Sequence, residues 1–447
     1  MTLSLRALFA NAAKVFAGNV GLSAIAFGQS VLIAKALGPS ELGVWGVITS
    51  FTALMSGIIG FRVSEPFTRY LVEFKERRDF DALRLLMATV LMLILLTGVV
   101  VLGAVGLIGP RVSPQLAEAP LATWLYAATV LPGAIDTTWY CVARDQRAFG
   151  ELTLLPLVFA LLQLGAVVAC LVLHHFDLVM LAVVILAIGV VQTIAKIASQ
   201  ARIMHRAYGI RFRELPYFSV RRQIAELRGF WSFIGTTYFT STLSTIIKSG
   251  DMVLLGQFSR GASLGYYRLA KGLVSTAQML VLPLSTLVYQ DFNELLAARR
   301  YSEISRTTRQ LMRLWVPAMI ALVAMVSIAA GPVINHVYGV RYAPAAPLFV
   351  ILFTGVGFSM MLFWATPLLL ALEQTFRQLG LTVVTSLLFV AGGVMLVPRF
   401  GPTGMAIDLG TLWTLSQLGA VAIAFRGLRE CLNSSNEQFT EVAASPN

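Results

Sequence analysis

Charge is what this sequence has least of. Only 13% of its 447 residues are Asp, Glu, Lys or Arg, about half the roughly 25% usual in a soluble globular domain. With 57% hydrophobic residues and a mean hydropathy of +0.77, the chain reads as an integral membrane protein. Long polar intervals are missing as well. Apolar windows of the about 20 residues that a transmembrane helix needs follow one another from Val15 to Phe425. The longest polar interval, Tyr208 to Arg228, is shorter than the smallest usual soluble domain of about 50 residues, so no separate catalytic domain fits between the spans. Cysteine is scarce too: Cys141, Cys170 and Cys431 share no pairing or ligand spacing, and neither a disulfide nor a zinc site is expected.

The net charge of +12 is not read as a nucleic-acid surface, because in a membrane protein the placement of cations matters more than their sum. At the start of the chain, Arg6 and Lys14 precede an apolar run, and Ala34-Lys35-Ala36 resembles a signal-peptide cleavage site. The run from Val15 to Ile33 is longer than a typical signal core, and an internal repeat requires it, so it is expected to be a retained helix. That repeat shows in Glu41-Leu42-Gly43-Val44-Trp45 and Ser263-Leu264-Gly265-Tyr266-Tyr267, each just after an apolar helix, at an offset of 222 residues. The remaining apolar windows keep about the same offset: 80–108 with 307–330, 120–143 with 342–370, 150–173 with 376–397, and 177–207 with 402–425. A second echo, the run from Asp145 and that from Glu373, follows the fourth helix of each half.

The expected fold is therefore an all-α integral membrane protein of about 12 transmembrane helices in two six-helix repeats. An even number of spans per half makes the repeats parallel, related by an axis along the membrane normal. The division is an N-terminal lobe 1–207, a basic cytoplasmic linker 208–228, a C-terminal lobe 229–432 and a polar, disordered tail 433–447. With both termini in the cytoplasm, outer segments hold only Lys35, Arg111, Arg260, Arg341 and Arg399, and spans hold Lys248, Arg268 and Lys271. The rest of the 34 Lys and Arg fall in cytoplasmic segments, including 62–84 and 196–228, a consistent positive-inside pattern.

The three cations within spans are the strongest candidates for a site. On helices 7 and 8, Asp251 and Arg268 lie about 9 Å below the outer ends, and Lys248 and Lys271 about 13 Å. Each pair is spaced i, i+3 and so shares a helix face. Asp251 is placed to pair with Arg268, which leaves two lysines and an excess of positive charge suited to an anion. Snorkelling of the same cations to the interface is the alternative. At the repeat offset the first half carries Ala26, Gln29, Gly46 and Thr49, so the cationic site would belong to the second lobe alone.

Other polar groups are weaker signals. Arg62, Glu65 and Arg69 fall on one face at the inner end of a long second helix, a cytoplasmic mouth for an anion or an anchor in headgroups. Asp136 follows Pro132 by four residues, and such a pair could hold a proton or a sodium ion, so Asp251 and Asp136 are the candidate ion-coupling groups. Asp408 carries the same reading in the last span, and Pro283 is expected to bend helix 8. No GxxxxGK[ST], HExxH or GxSxG motif occurs, and neither an enzyme nor a cofactor is expected. Asp79-Phe80-Asp81 resembles a metal-binding DxD, but without a nucleotide-binding domain it reads as a solvated loop, and His174 and His175 as an exposed outer loop.

Three stretches, Leu32 to Ser50, Asp251 to Leu273 and Pro398 to Trp413, resemble the polysaccharide transport branch of the multidrug/oligosaccharidyl-lipid/polysaccharide export superfamily, the bacterial lipid-linked oligosaccharide flippases. The resemblance covers the whole chain. It implies a V-shaped bundle of two lobes around a hydrated cavity, lined by the first two helices of each half. It further implies a protein of the bacterial inner membrane that moves an undecaprenyl-pyrophosphate-linked oligosaccharide by alternating access, the lipid tail staying among membrane lipids. Arg268, Lys271 and Lys248 would then neutralise pyrophosphate or acidic sugars, and a polysaccharide polymerase or export machinery would be the partner. Asp408 departs from the family pattern, which usually has a small residue there. The chain ends without the two extra helices of the peptidoglycan-precursor flippase. A drug or metabolite antiporter of the same superfamily is the runner-up. A membrane-embedded polymerase or glycosyltransferase is the reading of another class, and it lacks the large loop of catalytic carboxylates or histidines such enzymes need.

The charge distribution generates a topological prediction. A single cysteine introduced beside His174 should react with an impermeant thiol reagent added outside intact cells, whereas one beside Arg213 should react only after the membrane is opened. The reverse labelling would invert the topology.

Overall fold

The computed structural model describes residues 5–217, 226–279, 281–298 and 300–444. Part of the expected basic linker, 218–225, lies outside the described residues. Among the described residues there is no β-strand, and the fold is that of an all-α membrane protein. Among the described residues six helices are long and apolar enough to cross a membrane, seven if one bent pair is a single span. Helices satisfy their own backbone polar groups, which a hydrocarbon surround cannot do. The chain divides into two compact units, Met1–Ala262 and Ser263–Asn447.

In the first unit, α1 (Leu5–Ile59) is two helical segments joined at Gly38, whose φ of 73° lies in the left-handed region that glycine enters without strain. Pro39 restarts the helix, its fixed φ suiting a first turn. The expected long second helix does not continue to residue 69. It stops at Ile59, and a separate α2 spans Ser64–Glu76. The break falls after Gly60, where a Cβ would lie 2.4 Å from the carbonyl oxygen of Ser56. Next comes α3 (Phe80–Val112), with Asp79 accepting the Ala82 N–H at 2.9 Å. Half of the DxD resemblance is thus a helix cap.

The helices α4 (Pro114–Glu118), α5 (Pro120–Ala128), α6 (Val130–Asp145), α7 (Phe149–Val172) and α8 (Leu178–Tyr208) follow. The unit closes with α9 (Arg228–Phe258), which packs on α1 and is tied down at both ends. Near its start, Tyr238 and Thr242 donate hydroxyl hydrogen bonds to the carbonyls of Ile58 and Gly57, which lie among the last four of α1 and lack helical partners. At its far end the Gln257 amide donates to the Val112 carbonyl, and the Gln115 amide to that of Ser259. By the sequence repeat α9 opens the second half, yet in contacts it belongs to the first unit.

The second unit begins with α10 (Ala262–Met279) and α11 (Leu282–Ala297). Pro283 sits in the first turn of α11, so the expected bend is a full break. Then come α12 (Tyr301–Tyr338), α13 (Ala345–Met361), α14 (Ala365–Ala371) and α15 (Thr375–Ala444). The pair α13 and α14 is bent by 43° and together covers the expected span 342–370. Helix α15 breaks at Gly401 (φ 55°, ψ −133°), so it contains the two expected spans 376–397 and 402–425. Its backbone continues helical through the polar tail to Ala444, a stretch containing the helix formers Gln438, Glu441, Ala443 and Ala444.

Small residues set the helix spacing in this unit, since lipid offers no hydrophobic drive and close van der Waals packing must supply the cohesion. A Cβ on Gly355 of α13 would lie 2.4 Å from the Cα of Gly410 on α15, and one on Gly357 would lie 2.3 Å from Val323 on α12. Val323 can rotate away, but the Gly410 backbone cannot. Gly355→Ala should therefore push α13 from α15 and cost about 1–3 kcal/mol. A lowered unfolding temperature in detergent would show this, with Gly272→Ala, where no atom lies within 4 Å, as the neutral control.

Candidate functional site

The four charges predicted on helices 7 and 8 fall on α9 and α10. Lys248 is exposed and Asp251 is fully buried, three residues apart on α9 in the first unit. Arg268 and Lys271 are both half-buried, one turn apart on α10 in the second unit. The positive φ of Gly261 (62°) ends the preceding turn and lets α10 start at Ala262. Leu264, Gly265, Tyr267, Leu269, Ala270 and Val274 are buried on α10, and the two cations are half-buried on the same helix.

Asp136 has a different setting from the one expected. Its Oδ1 accepts a hydrogen bond and ion pair from Lys196 Nζ at 2.7 Å, with the lysine side chain 6% exposed and the aspartate 50%. The sequence counts Lys196 in the cytoplasmic segment 196–228, and the structure buries its side chain within the protein, 12 residues before the end of α8. The Lys196 ammonium also lies 5.3 Å from the ring centroid of Trp139. Trp139 Nε1 donates to Ser199 Oγ at 3.0 Å, and Ser199 Oγ donates to the Glu151 carboxylate. Thr138 Oγ1 donates to Gln200 Oε1 at 3.2 Å, and Thr193 Oγ1 to the Pro132 carbonyl at 2.8 Å. These bonds join α6, α7 and α8 by polar contacts around a cavity of about 500 Å³, whose lining includes Ser64, Asp136, Tyr140, Gln192 and Lys196. Asp136 thus already holds a cation, the chain's own lysine. Lys196, Glu151 and Ser199 were missed by sequence reasoning. For Lys196 the signal was present, since it lies inside the apolar run 177–207.

Arg62, Glu65 and Arg69 do not share one helix face. Arg62 precedes α2 in the break and pairs with Glu65 at 2.7 Å, while Arg69 lies 5.7 Å from the ring of Phe233. Burial tends to raise the Glu65 carboxyl, but hydrogen bonds from Ser64 and Arg62 outweigh it and hold the group below its usual range. Nearby, Asp145 accepts from Lys75 at 2.9 Å and from the Tyr208 hydroxyl at 2.6 Å, so α2, α6 and α8 meet in a second polar junction. Among the described residues no group of three His, Cys, Asp or Glu is arranged to hold a metal ion.

The family described as "Polysaccharide biosynthesis protein" matches residues 8–289, more than half of the chain. The chain belongs to this family. Its fold is similar to that of an inward-facing multidrug resistance MATE family transporter of the MOP superfamily, with a TM-score of 0.70 and 14% identity over 93% of this chain and 96% of that one. It is also similar to the lipid II flippase MurJ in an inward closed conformation, with a TM-score of 0.65 and 14% identity over 97% of this chain and 93% of that one. A third likeness is to the Vibrio cholerae MATE transporter VcmN, at a TM-score of 0.56 and 13% identity over 96% of each chain. At such identities the likeness shows the fold alone. Among proteins with curated descriptions, none matches the chain in sequence.

The Asp136–Lys196 pair generates a prediction. Asp136→Asn alone leaves a buried ammonium facing an amide and should cost about 1–3 kcal/mol of stability. Adding Lys196→Met removes the orphaned charge and should restore most of it. Unfolding temperatures of the two single variants and the double variant in detergent would measure the coupling, and strictly additive effects would mean that the pair contributes nothing.

Proposed function

We propose that this protein is a flippase that translocates an undecaprenyl-pyrophosphate-linked oligosaccharide across the bacterial inner membrane, for synthesis of an O-antigen, exopolysaccharide or capsule. The observation that carries the reading is a family membership in polysaccharide biosynthesis combined with two half-buried cations on the apolar helix α10. A cation within a membrane bundle costs about 2.5–3.5 kcal/mol to insert near the centre, and an anionic substrate group offsets that cost. Arg268, Lys271 and Lys248 are the residues assigned to pyrophosphate or acidic sugars. Asp251 and Asp136 are the groups that would link transport to a cation, Asp136 by exchanging Lys196 for it. Arg62, Glu65 and Arg69 stand at the cytoplasmic mouth, both termini are cytoplasmic, and membrane lipids hold the undecaprenyl tail. A polysaccharide polymerase or export machinery receives the product.

The second reading is a cation-coupled drug or metabolite antiporter, favoured by the likeness to a multidrug resistance transporter. Substitutions distinguish the two. Arg268→Ala and Lys271→Ala together should leave membrane protein at normal or higher level, because neutral residues insert more easily by about 2 kcal/mol each. Two charge-assisted contacts of about 1.5–3 kcal/mol are lost, so surface polysaccharide in a complemented deletion strain should fall at least roughly tenfold. Lys271→Arg should be tolerated better than Arg268→Lys, since a guanidinium makes a planar two-pronged contact that an ammonium cannot replace. Normal export at normal protein level would reduce both residues to membrane anchors. Unchanged polysaccharide in the deletion strain itself, with lost tolerance to cationic drugs, would favour the antiporter.

A further inference from the structure

The second unit carries a carboxyl whose surroundings differ from those of Asp136 and Asp145. Asp408 lies in the second segment of α15, seven residues beyond the break at Gly401. The two segments fold against each other as a hairpin. Its seam is set by three glycines, where a Cβ on Gly404 would lie 2.5 Å from the Leu396 carbonyl oxygen, one on Gly419 2.4 Å from Leu381 and one on Gly392 2.1 Å from Asp408 Oδ1. The Asp408 side chain therefore occupies the space that any side chain at position 392 would fill. The residue is 8% exposed, and its Oδ2 is buried without a hydrogen-bond partner.

Among the described residues no cation pairs with it. The helix packed most extensively on α15 is α13, and neither α13 nor α14 contains an ionisable Asp, Glu, His, Lys or Arg. On α12 such groups are Glu303, Arg306, Arg309 and Arg313 toward one end and His336 at the other. On α15 itself the basic residues are Arg377, which pairs with Glu430 at 3.0 Å, and Arg399, Arg426 and Arg429, all set toward helix ends or the break. An ionised carboxylate enclosed in this way, with one oxygen unsatisfied, is among the costliest arrangements in a protein interior, and such a group normally takes up a proton instead. The neutral acid needs no counter-charge and fits an apolar seam.

We propose that Asp408 is a proton-binding site: it holds a proton while the α15 seam is closed and releases it to water only in a conformation that parts the two segments at Gly392. Proton binding and seam closure are then reciprocally linked, because each favours the other by the same free energy. The site is independent of the substrate reading above, and the proton would be a coupling ion whether the cargo is a lipid-linked sugar or a drug.

The test is infrared spectroscopy of the purified protein in vesicles of phosphatidylethanolamine and phosphatidylglycerol, recorded across a pH series. The carbonyl stretch of a protonated carboxylic acid should be present in the wild type, be lost in Asp408→Asn, and persist in Asp136→Asn. Asparagine reproduces the shape of the neutral acid, so folding should be kept, and Asp408→Leu supplies a second neutral variant. Asp408→Glu retains the acid and should shift the band rather than remove it. In the same vesicles an imposed proton gradient should dissipate through the wild type faster than through Asp408→Asn, which should fall to the rate of protein-free vesicles. A wild-type protein with no protonated-carboxyl band would overturn the proposal without any variant. So would a band that survives both Asp408→Asn and Asp408→Leu. Loss of the band together with intact polysaccharide export would keep the proton site while detaching it from the transported cargo.

Discussion

A hydrocarbon surround offers no hydrogen-bond partner, and that constraint governs this chain at every level. It forces the backbone into helices, whose only exposed polar groups are at their ends and breaks. Where α1 stops at Ile59, the carbonyls of Gly57 and Ile58 would face an apolar medium unsatisfied, and hydroxyls of Thr242 and Tyr238 on α9 meet them. The Thr193 hydroxyl on α8 adds a hydrogen bond to the Pro132 carbonyl of α6 and so ties those two helices together. Interruptions in the helices are thus where the tertiary contacts concentrate.

The same constraint removes the hydrophobic drive between helices and leaves close packing to replace it. Glycines serve two distinct purposes as a result. Gly38 and Gly401 take positive φ and break long helices at the positions where the sequence repeat needs separate spans. Gly355, Gly392 and Gly410 instead lie within regular helix and matter for what they lack, since a single methyl group at Gly355 or Gly392 would overlap a neighbour. In the second unit this produces a seam tight enough to enclose the Asp408 carboxyl.

Charge follows the same logic with a different outcome at each position. Lys196 is enclosed and answered by Asp136 and the face of Trp139. Asp145 is answered by Lys75 and Tyr208 at the end of the span. Among the described residues Asp408 has no answering cation, which is the setting of the proton site proposed above. Arg268 and Lys271 stand half-buried on α10.

Apolar run length and the spacing of small residues were enough to establish an all-α membrane protein with a repeated plan, because a span is a local property: about 20 apolar residues make one wherever they occur. The span boundaries at 376–397 and 402–425 were legible for that reason, and so was the span 342–370, though not the bend between α13 and α14 within it. Residues such as Arg268 and Lys271 could be found because a charge in an apolar window is conspicuous by itself. Partners are not local. The sequence could not show that Lys196 turns inward to an aspartate 60 residues earlier, that α9 leaves its own repeat to pack on α1, or that the glycine at 392 makes room for the acid at 408. Each depends on which helix faces are brought together, and in a bundle whose helices are apolar nearly all round, periodicity does not mark the facing side. Only the tertiary structure decided those contacts, and with them which buried charges, such as Lys196, are neutralised by the chain itself.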